Sequence, residues 1–463
     1  MKATTDVCAQ TEQARTVRYV SPARLAQLLR RGSMAVTDQA LFSGANFLLS
    51  MLMARRLSAA EYGAYSLAYS VFLFLSALHK ALFIEPMMIF GTGKYSEKFP
   101  GYARQLIGLH VVVLGPASVA VWAISAVLGR YYSADTQAAF EGMAISSLFI
   151  LIFWLARRAF YVVMKPALGV LSSCLYFGAI AIMAGALWAT DTLSVWSAFL
   201  AMGAASVLVS GILLSRVVAV RAPESAARPQ LHQVIGDHWR YGRWAVASEI
   251  ASWFPSNIYY LLLAAWLGLG HAGGLRAVTN FVMPVLQAIV AVNMLMLPAL
   301  VRDRRDGGAH KMNQTMMLFF ILYGAGCAAY LCALWLFRGH LFQIFYGGRY
   351  SQYMGWPLLL AGFLPVGNCA AAVLGNGLRA MERPDRMFWA MIGSAVGAAA
   401  FGIPLTAKFG VTGALAGYLC SSVVYVAALW CLYRPLGSAK AGSGADGHYS
   451  GSAVAPEIDW TEQ

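Results

Sequence analysis

The sequence predicts an all-α membrane protein of about twelve transmembrane helices arranged as two six-helix repeats. Three observations predict it: charge is scarce, the apolar stretches are long and uninterrupted, and basic residues collect on one side of them. Of 463 residues, 12% are charged and 59% hydrophobic. A soluble domain carries roughly 25% charged residues, so this chain cannot cover a water-facing surface. Mean hydropathy is +0.61.

The apolar stretches come first. Residues 105–129, 166–190, 192–215, 250–275, 277–301, 312–337, 350–378, 387–407 and 409–433 contain no Asp, Glu, Lys or Arg. Each is long enough to cross a hydrocarbon core of about 30 Å at about 1.5 Å per residue. Three further stretches, about 35–54, 62–88 and 138–163, carry one or more ionisable residues and complete twelve. Barrel strands would instead alternate apolar and polar residues over about 10 positions.

The net charge of +14 could suggest a nucleic-acid partner, but its distribution points to topology. With the N-terminus placed inside, most Lys and Arg fall in cytoplasmic loops and tails, starting with Lys2, Arg15, Arg18, Arg24, Arg30 and Arg31. This is the positive-inside pattern. It predicts a multi-pass membrane protein with both termini cytoplasmic, the lipid bilayer as its surroundings and no nucleic acid. No cleavable signal peptide is expected, because the first residues are polar and Arg-rich. The cysteines show no CxxC or Cys/His spacing, so neither a disulfide framework nor a metal site is expected.

The organisation predicted is a basic cytoplasmic tail (1–33), an N-lobe (34–219), a cytoplasmic linker (220–240), a C-lobe (241–434) and a disordered cytoplasmic tail (435–463). Pro22 to Arg31 reads either as a short interfacial helix or as part of the tail. The halves resemble each other. At an offset of 210, Gln39 lies over Glu249, Asn46 over Ser256 and Gly63 over Gly273. At an offset of 221, Arg158 lies over Arg379 and Lys165 over Arg386. Six helices per repeat give both halves the same membrane orientation, related by an axis along the membrane normal.

No catalytic constellation is present: there is no Walker A, GxSxG, HExxH or paired-carboxylate metal motif, so the chain is not expected to be an enzyme. Ionisable residues within spans are functional candidates because burying them in lipid is costly. Glu249 lies about 12 Å inside helix 7, and Asp38 lies one position from its repeat mate, so the first helix of each half carries an acid. A buried carboxylate can bind a cation or exchange a proton, which makes H+ and Na+ the candidate coupling ions, with no other cofactor. Lys80 is placed near the cytoplasmic interface. It is not expected to pair with Glu85, because five residues span about 140° around an α-helix. Arg276, about 6 Å into helix 8, lies within snorkelling reach of the outer surface. Asn46, Asn257 and Asn280 add polar surface inside spans, either gluing helices together or lining a wet cavity. His110 is the histidine clearly inside a span and reads as hydrogen-bonded or snorkelling. Arg157, Arg158 and Lys165, with Arg379, Arg383 and Arg386, lie at the cytoplasmic leaflet. There they could attract a diphosphate head group, although positive-inside topology alone also places them there.

Two stretches carry a family resemblance. FLLSMLMARRLSAAEYGAYSLA in helix 1 and its exit, together with NGLRAMERP at the end of helix 10, resembles the polysaccharide (Wzx-type) flippases of the multidrug/oligosaccharidyl-lipid/polysaccharide exporter superfamily. The resemblance covers about residues 30–435, and the helix 1 pattern is its more specific part. It implies two lobes around a central cavity lined by helices 1 and 7. It also implies alternating access and export of a polyprenyl-diphosphate-linked oligosaccharide to the periplasmic leaflet, alongside other polysaccharide-assembly membrane proteins. A cation-coupled drug or metabolite antiporter of the same superfamily is the second reading. A membrane polysaccharide polymerase or ligase is the third, and short outer loops argue against it.

Overall fold

A computed structural model describes residues 22–218 and 229–437. The distal parts of both predicted tails and the residues 219–228 around the predicted linker lie outside the described residues. The described residues run as twelve antiparallel rods. In the first half these are α1 (Pro22–Arg56), α2 (Ala59–Thr92), α3 (Phe99–Tyr131), α4 (Ala134–Val162), α5 (Pro166–Ala189) and α6 (Val195–Val218). In the second half α7 is Leu231–Leu267, α8 is Leu269–Asn280 continued over 283–306, and α9 covers 309–346. They are followed by α10 (Trp356–Ala380), α11 (384–409) and α12 (411–437). The first span is helical from Pro22, well before the predicted boundary, so the proximal tail extends the helix.

By length and composition alone, eight helices among the described residues could cross a membrane. The number is nine when the bent pair Leu269–Asn280 and Met283–Val290 counts as one span. Two of the eight are stretches of 51 residues. Each breaks at a glycine with positive φ (Gly308 in one, Gly410 in the other) and therefore holds more than one rod. The first and seventh rods miss the composition test because they carry the polar residues discussed below. Large apolar side chains such as Val112, Val119, Ile182, Leu336 and Val423 stand exposed on the outside of the bundle. Lipid is the solvent that tolerates such a surface.

Local signals explain the ends. Ser58 and Glu61 form a capping box at the start of α2: Glu61 N donates to Ser58 Oγ, and Ser58 N donates to Glu61 Oε2. Ser133 caps α4. Proline opens α5 and lies in the first turn of α3 and α10, where its missing N–H costs nothing.

Twelve antiparallel rods bring Pro22 and Gly437 to one end of the bundle, called here the terminal end; the opposite face is the far end. Within the N-lobe α1 packs along α5, and α4 packs on α6, α3 and α2. Within the C-lobe α10 packs on the 283–346 stretch and on α12, and α7 packs on α12 and α11. One continuous buried apolar cluster runs through the N-lobe and the far-end half of the C-lobe, including Leu263, Leu275, Phe342, Leu358 and Ala414. The terminal half of the C-lobe has a separate cluster, with Met296, Leu300, Met312, Val373 and Leu429. The lobes therefore share a core at the far end and, apart from the start of α7, whose Val234 joins the N-lobe cluster, keep separate cores toward the terminal end.

The internal repeat is visible as geometry. Ser58 before α2 and Gly268 before α8 stand 210 apart, matching the sequence register. The mates Gly63 and Gly273 lie in contact: a Cβ on Gly63 would fall 1.8 Å from the Leu269 carbonyl oxygen, and one on Gly273 would fall 2.9 Å from that of Ala59. Since Ala59 and Leu269 are themselves mates, the contact is nearly self-complementary, as at a two-fold interface. The second register is corrected. The turn at Met164, Lys165 and Pro166 repeats at Glu382, Arg383 and Pro384. Positive φ of 56° and 59° at Met164 and Glu382 is followed by matching backbone angles at Lys165 and Arg383. The offset here is 218, the separation of the two prolines. Lys165 therefore corresponds to Arg383 rather than Arg386, and Arg158 to Asn376 rather than Arg379. The basic residues had matched by side-chain type, but the turn geometry sets the register.

A branched side chain at Gly63 should keep the far end from closing, an overpacking cost of roughly 1–3 kcal/mol. In a cysteine-free background with Ser50→Cys, a membrane-impermeant thiol reagent applied at the far end should label faster when Gly63→Val is added. Equal labelling at equal protein levels would show that this crossing is not the seal.

Candidate functional site

The polar residues predicted inside spans sort into three groups along the lobe interface and within the N-lobe. At the far end, Asn280 of α8 donates to Tyr62 Oη at 2.8 Å and to Ser50 Oγ at 3.1 Å, bridging the lobes. Ser50 and Tyr62 are themselves 2.9 Å apart. Arg55 donates to the Ile344 carbonyl at 2.7 Å, and Arg349 donates to the Leu57 carbonyl. Arg276 lies in this seal and does not snorkel as predicted. It is 9% exposed, with its guanidinium 4.4 Å from the centre of the Tyr69 ring and Nε unpartnered. Its electrostatic neighbours are the tyrosines Tyr260, Tyr69, Tyr65 and Tyr62, with no carboxylate among them. The tight packing of α8 on α2 buries a position that distance along the helix alone placed near the surface.

Nearer the terminal end, α2 and α7 meet through charge. Lys80 Nζ is 2.6 Å from Glu249 Oε1 across the lobes and 3.6 Å from Glu85 Oε1 on its own helix. The pairing of Lys80 with Glu85 corrects the expectation of 140° separation. Residues Lys80–Ile84 form a π-turn, whose wider spiral brings positions five apart onto one face. Tyr241 Oη donates to Glu85 at 3.4 Å. Further toward the terminal end, Asp237 of α7 accepts from Lys94 at 2.6 Å and from Tyr95 at 2.7 Å. Burial first, and then the adjacent Asp237 carboxylate, push the Tyr95 phenol above its usual range, so it stays a neutral donor. The early part of α7 thus belongs energetically to the N-lobe.

The third group is internal to the N-lobe. Asp38, 1% exposed, accepts from Arg157 at 3.1 Å, from Tyr161 at 2.7 Å and from Ser173. Arg157 lies 4.2 Å from the centre of the Phe42 ring. Two expectations change here. Asp38 ties α1 to α4 and α5, with Arg157, Tyr161 and Ser173 as partners on its two carboxylate oxygens. Arg157 is buried with it and cannot meet a head group at the leaflet. The two residues that open the repeats also differ: Asp38 pairs within a lobe, and Glu249 pairs between lobes.

Magnitudes separate the two ion pairs. Lys80 and Glu249 are 48% and 21% exposed in their side chains, so their pair stabilises the contact by only about 0.2–1 kcal/mol and can break during a cycle. Removing one partner of a buried pair such as Asp38 with Arg157 costs about 3–5 kcal/mol.

The remaining candidates are placed as follows. Asn46 donates to the Phe42 carbonyl of its own helix and accepts from Tyr176; Asn257 donates to the Trp253 carbonyl and to Ser256. Arg158 stacks near Tyr161, Lys165 is exposed, and Arg379 donates to Asn376. Arg383 makes a bidentate pair with Asp385 at 3.1 Å, and Arg386 donates to the Leu432 carbonyl. These five share the terminal end. A cavity of about 200 Å³ lies between the lobes, walled by Gln39 and Ala40 of α1 and Pro284 and Gln287 of α8. A second, of about 160 Å³, is a polar recess in the C-lobe lined by Ser252, Ser256, Asn368 and Ser394.

Two features escaped the sequence reading. Tyr62, Tyr65 and Tyr69 recur at helical spacing in EYGAYSLAY and form one stripe of rings in contact, a signal that was present. His79 pairs with His110 at 3.1 Å, a contact between residues 31 positions apart for which the sequence offered no signal.

Shape comparison places this arrangement among known folds. An inward-facing multidrug resistance MATE family transporter of the MOP superfamily superposes with a TM-score of 0.74 at 12% identity. It covers 86% of this chain and 94% of its own. The chain has the fold of MOP-superfamily transporters. The lipid II flippase MurJ in an inward closed conformation gives 0.70 at 12% identity, covering 88% and 87%. An outward-facing MATE transporter gives 0.64 at 12%, covering 89% and 95%. No protein-family model matches the sequence, and no curated protein matches it.

Asp38→Asn should lower unfolding free energy in detergent by about 3–5 kcal/mol, because Arg157 is left buried and unpaired. Glu249→Gln should cost less than about 1 kcal/mol. Denaturant titration of both variants tests the ranking, and the reverse order would overturn it.

Proposed function

We propose that this chain is a flippase that carries a polyprenyl-diphosphate-linked oligosaccharide across the bacterial inner membrane by alternating access, for exopolysaccharide or O-antigen-like export. Arg276 is the observation that carries the reading. It is a buried cation at the lobe interface, set over the Tyr69 ring with three more tyrosines as its electrostatic neighbours and no carboxylate among them. Burying an uncompensated guanidinium is costly, and a passing diphosphate supplies the missing charge with bidentate geometry. The span acids are spent elsewhere: Asp38 on Arg157, and Glu249 on Lys80. A cationic cargo finds no free buried carboxylate on either.

The terminal end is the cytoplasmic end in this reading. Separate apolar cores in that half fit lobes that part toward the cytoplasm, and the better superposition on an inward-facing shape supports the same state. Arg158, Lys165 and Arg379 then lie at the entrance, where an anionic head group arrives first. Other polysaccharide-assembly membrane proteins would supply and receive the cargo. Catalysis is not part of this role.

A cation-coupled antiporter is the second reading, favoured by one detail: Lys80 is shared by two carboxylates, Glu85 and Glu249, so this cluster carries an excess negative charge.

Reconstituted vesicles decide between them. Flipping of a labelled polyprenyl-diphosphate oligosaccharide should fall at least about tenfold in Arg276→Ala, the loss of roughly 1.4 kcal/mol of binding. Arg276→Lys, a point charge without the planar fork, should be intermediate. Efflux of a cationic dye with no glycan flipping would establish the antiporter instead.

A further inference from the structure

The buried histidines carry information that the transport reading does not use. Three of them sit at the base of the contact between α2 and α7, and carbonyl partners fix two of their tautomers. A carbonyl oxygen only accepts, so the nitrogen facing it must carry the hydrogen. His238 donates from Nδ1 to the Leu82 carbonyl at 2.8 Å, which leaves Nε2 to accept from Tyr102 Oη at 2.6 Å. Both its nitrogens are satisfied. His110 donates from Nε2 to the Leu148 carbonyl at 3.0 Å, so its Nδ1 must accept, and the donor is His79 Nε2 at 3.1 Å. The chain of donors ends at His79 Nδ1, which is left with a bare lone pair. That nitrogen is buried and has no partner, and His79 is 1% exposed.

The position of His79 gives this lone pair a consequence. The next residue is Lys80, which bridges the lobes to Glu249, and the π-turn begins there. The ionisable groups facing this region can be named. On α2 they are Lys80 and Glu85, on α3 His110, and on α7 Glu249, Tyr241 and His238. The element α4 contributes the Leu148 carbonyl. Phe83 stacks on the His79 ring 5.2 Å away. In the present arrangement a proton on Nδ1 would meet no acceptor, and the imidazolium would sit next in sequence to an ammonium.

We propose that His79 Nδ1 is a proton-binding site of the transport cycle, occupied when the contact of Lys80 with Glu249 is broken and empty when it is made. The proton comes from water and adds to the ring lone pair, so no other reactant is needed. A π-turn holds one residue more than an α-helix needs, and its migration by a residue rotates the neighbouring side chains together. The same movement that swings Lys80 off Glu249 therefore turns His79 toward solvent or a released carboxylate. Because the open state binds the additional proton, lower pH favours opening. An unperturbed histidine titrates near 6.5, well above an unperturbed glutamate at about 4.3.

The site goes beyond the choice of cargo, and its test does not require one. Spectroscopic labels at Glu97 and Gln233, in full-length cysteine-free protein in vesicles, report the distance between the α2–α3 turn and the start of α7. As pH falls between about 8 and 5, the longer distance should gain population, by no more than roughly tenfold per pH unit for one proton. His79→Gln keeps a donor toward His110 but has no basic nitrogen, so the distance should stop responding. His110→Gln still offers a donor and an acceptor and should leave the response in place. Should His79→Gln not accumulate, the imidazole resonances of isotope-labelled parent protein give a second readout: one histidine must titrate together with the distance. A parent distance that ignores pH overturns the proposal. So does a response that survives in His79→Gln, or one that follows Glu85→Gln with a midpoint near the carboxylate range.

Discussion

The close crossing of α2 and α8 at Gly63 and Gly273 is the contact on which the arrangement of the two lobes depends. Two repeats of six helices could meet in many ways. Here the mates touch through backbone, because neither position has a side chain to hold the helices apart. That approach brings Asn280 within reach of Ser50 and Tyr62, and it buries Arg276 against Tyr69. In lipid, association between helices is driven by packing and hydrogen bonds rather than by a hydrophobic force, so small residues at a crossing count for more than they would in water. With the far end drawn together, divergence of the lobes can occur only toward the terminal end, where the C-lobe keeps its own apolar cluster.

Charge is divided between fixed and breakable pairs. Asp38 with Arg157 is fully desolvated and further bonded to Tyr161 and Ser173, which makes it part of the N-lobe's framework. Lys80 with Glu249 is partly wet, joins different lobes and starts from a π-turn, each of which lowers the cost of separating it. The α7 rod connects these regimes. Its first turns are bonded to the N-lobe through Asp237 and His238, and its later turns pack with α12 and α11. Pro255 lies between the two parts, where a missing backbone hydrogen bond permits bending.

Much of the fold was legible along the chain. Apolar length set the spans, and the match of Gly63 with Gly273 located the repeat and, as it turned out, its contact. The site was less legible. Depth along a helix placed Arg276 within reach of the surface because it measures height only. Whether a side chain faces lipid, a neighbour or the other lobe depends on rotation about the helix and on what packs there. The angular argument that separated Lys80 from Glu85 assumed 3.6 residues per turn, and a π-turn breaks that assumption. The match of Lys165 with Arg386 followed charge, whereas the backbone follows the turn at Pro166 and Pro384.

The sequence by itself determined the solvent and the architecture: continuous apolar runs can hide their backbone in a bilayer only as helices, and duplicated runs specify duplicated lobes. Tertiary structure alone decided which charges meet. Asp38 and Arg157 are 119 positions apart, and Lys80 and Glu249 are 169 apart. In both cases the partner is supplied by a separate helix, whose rotation is set by packing along its whole length.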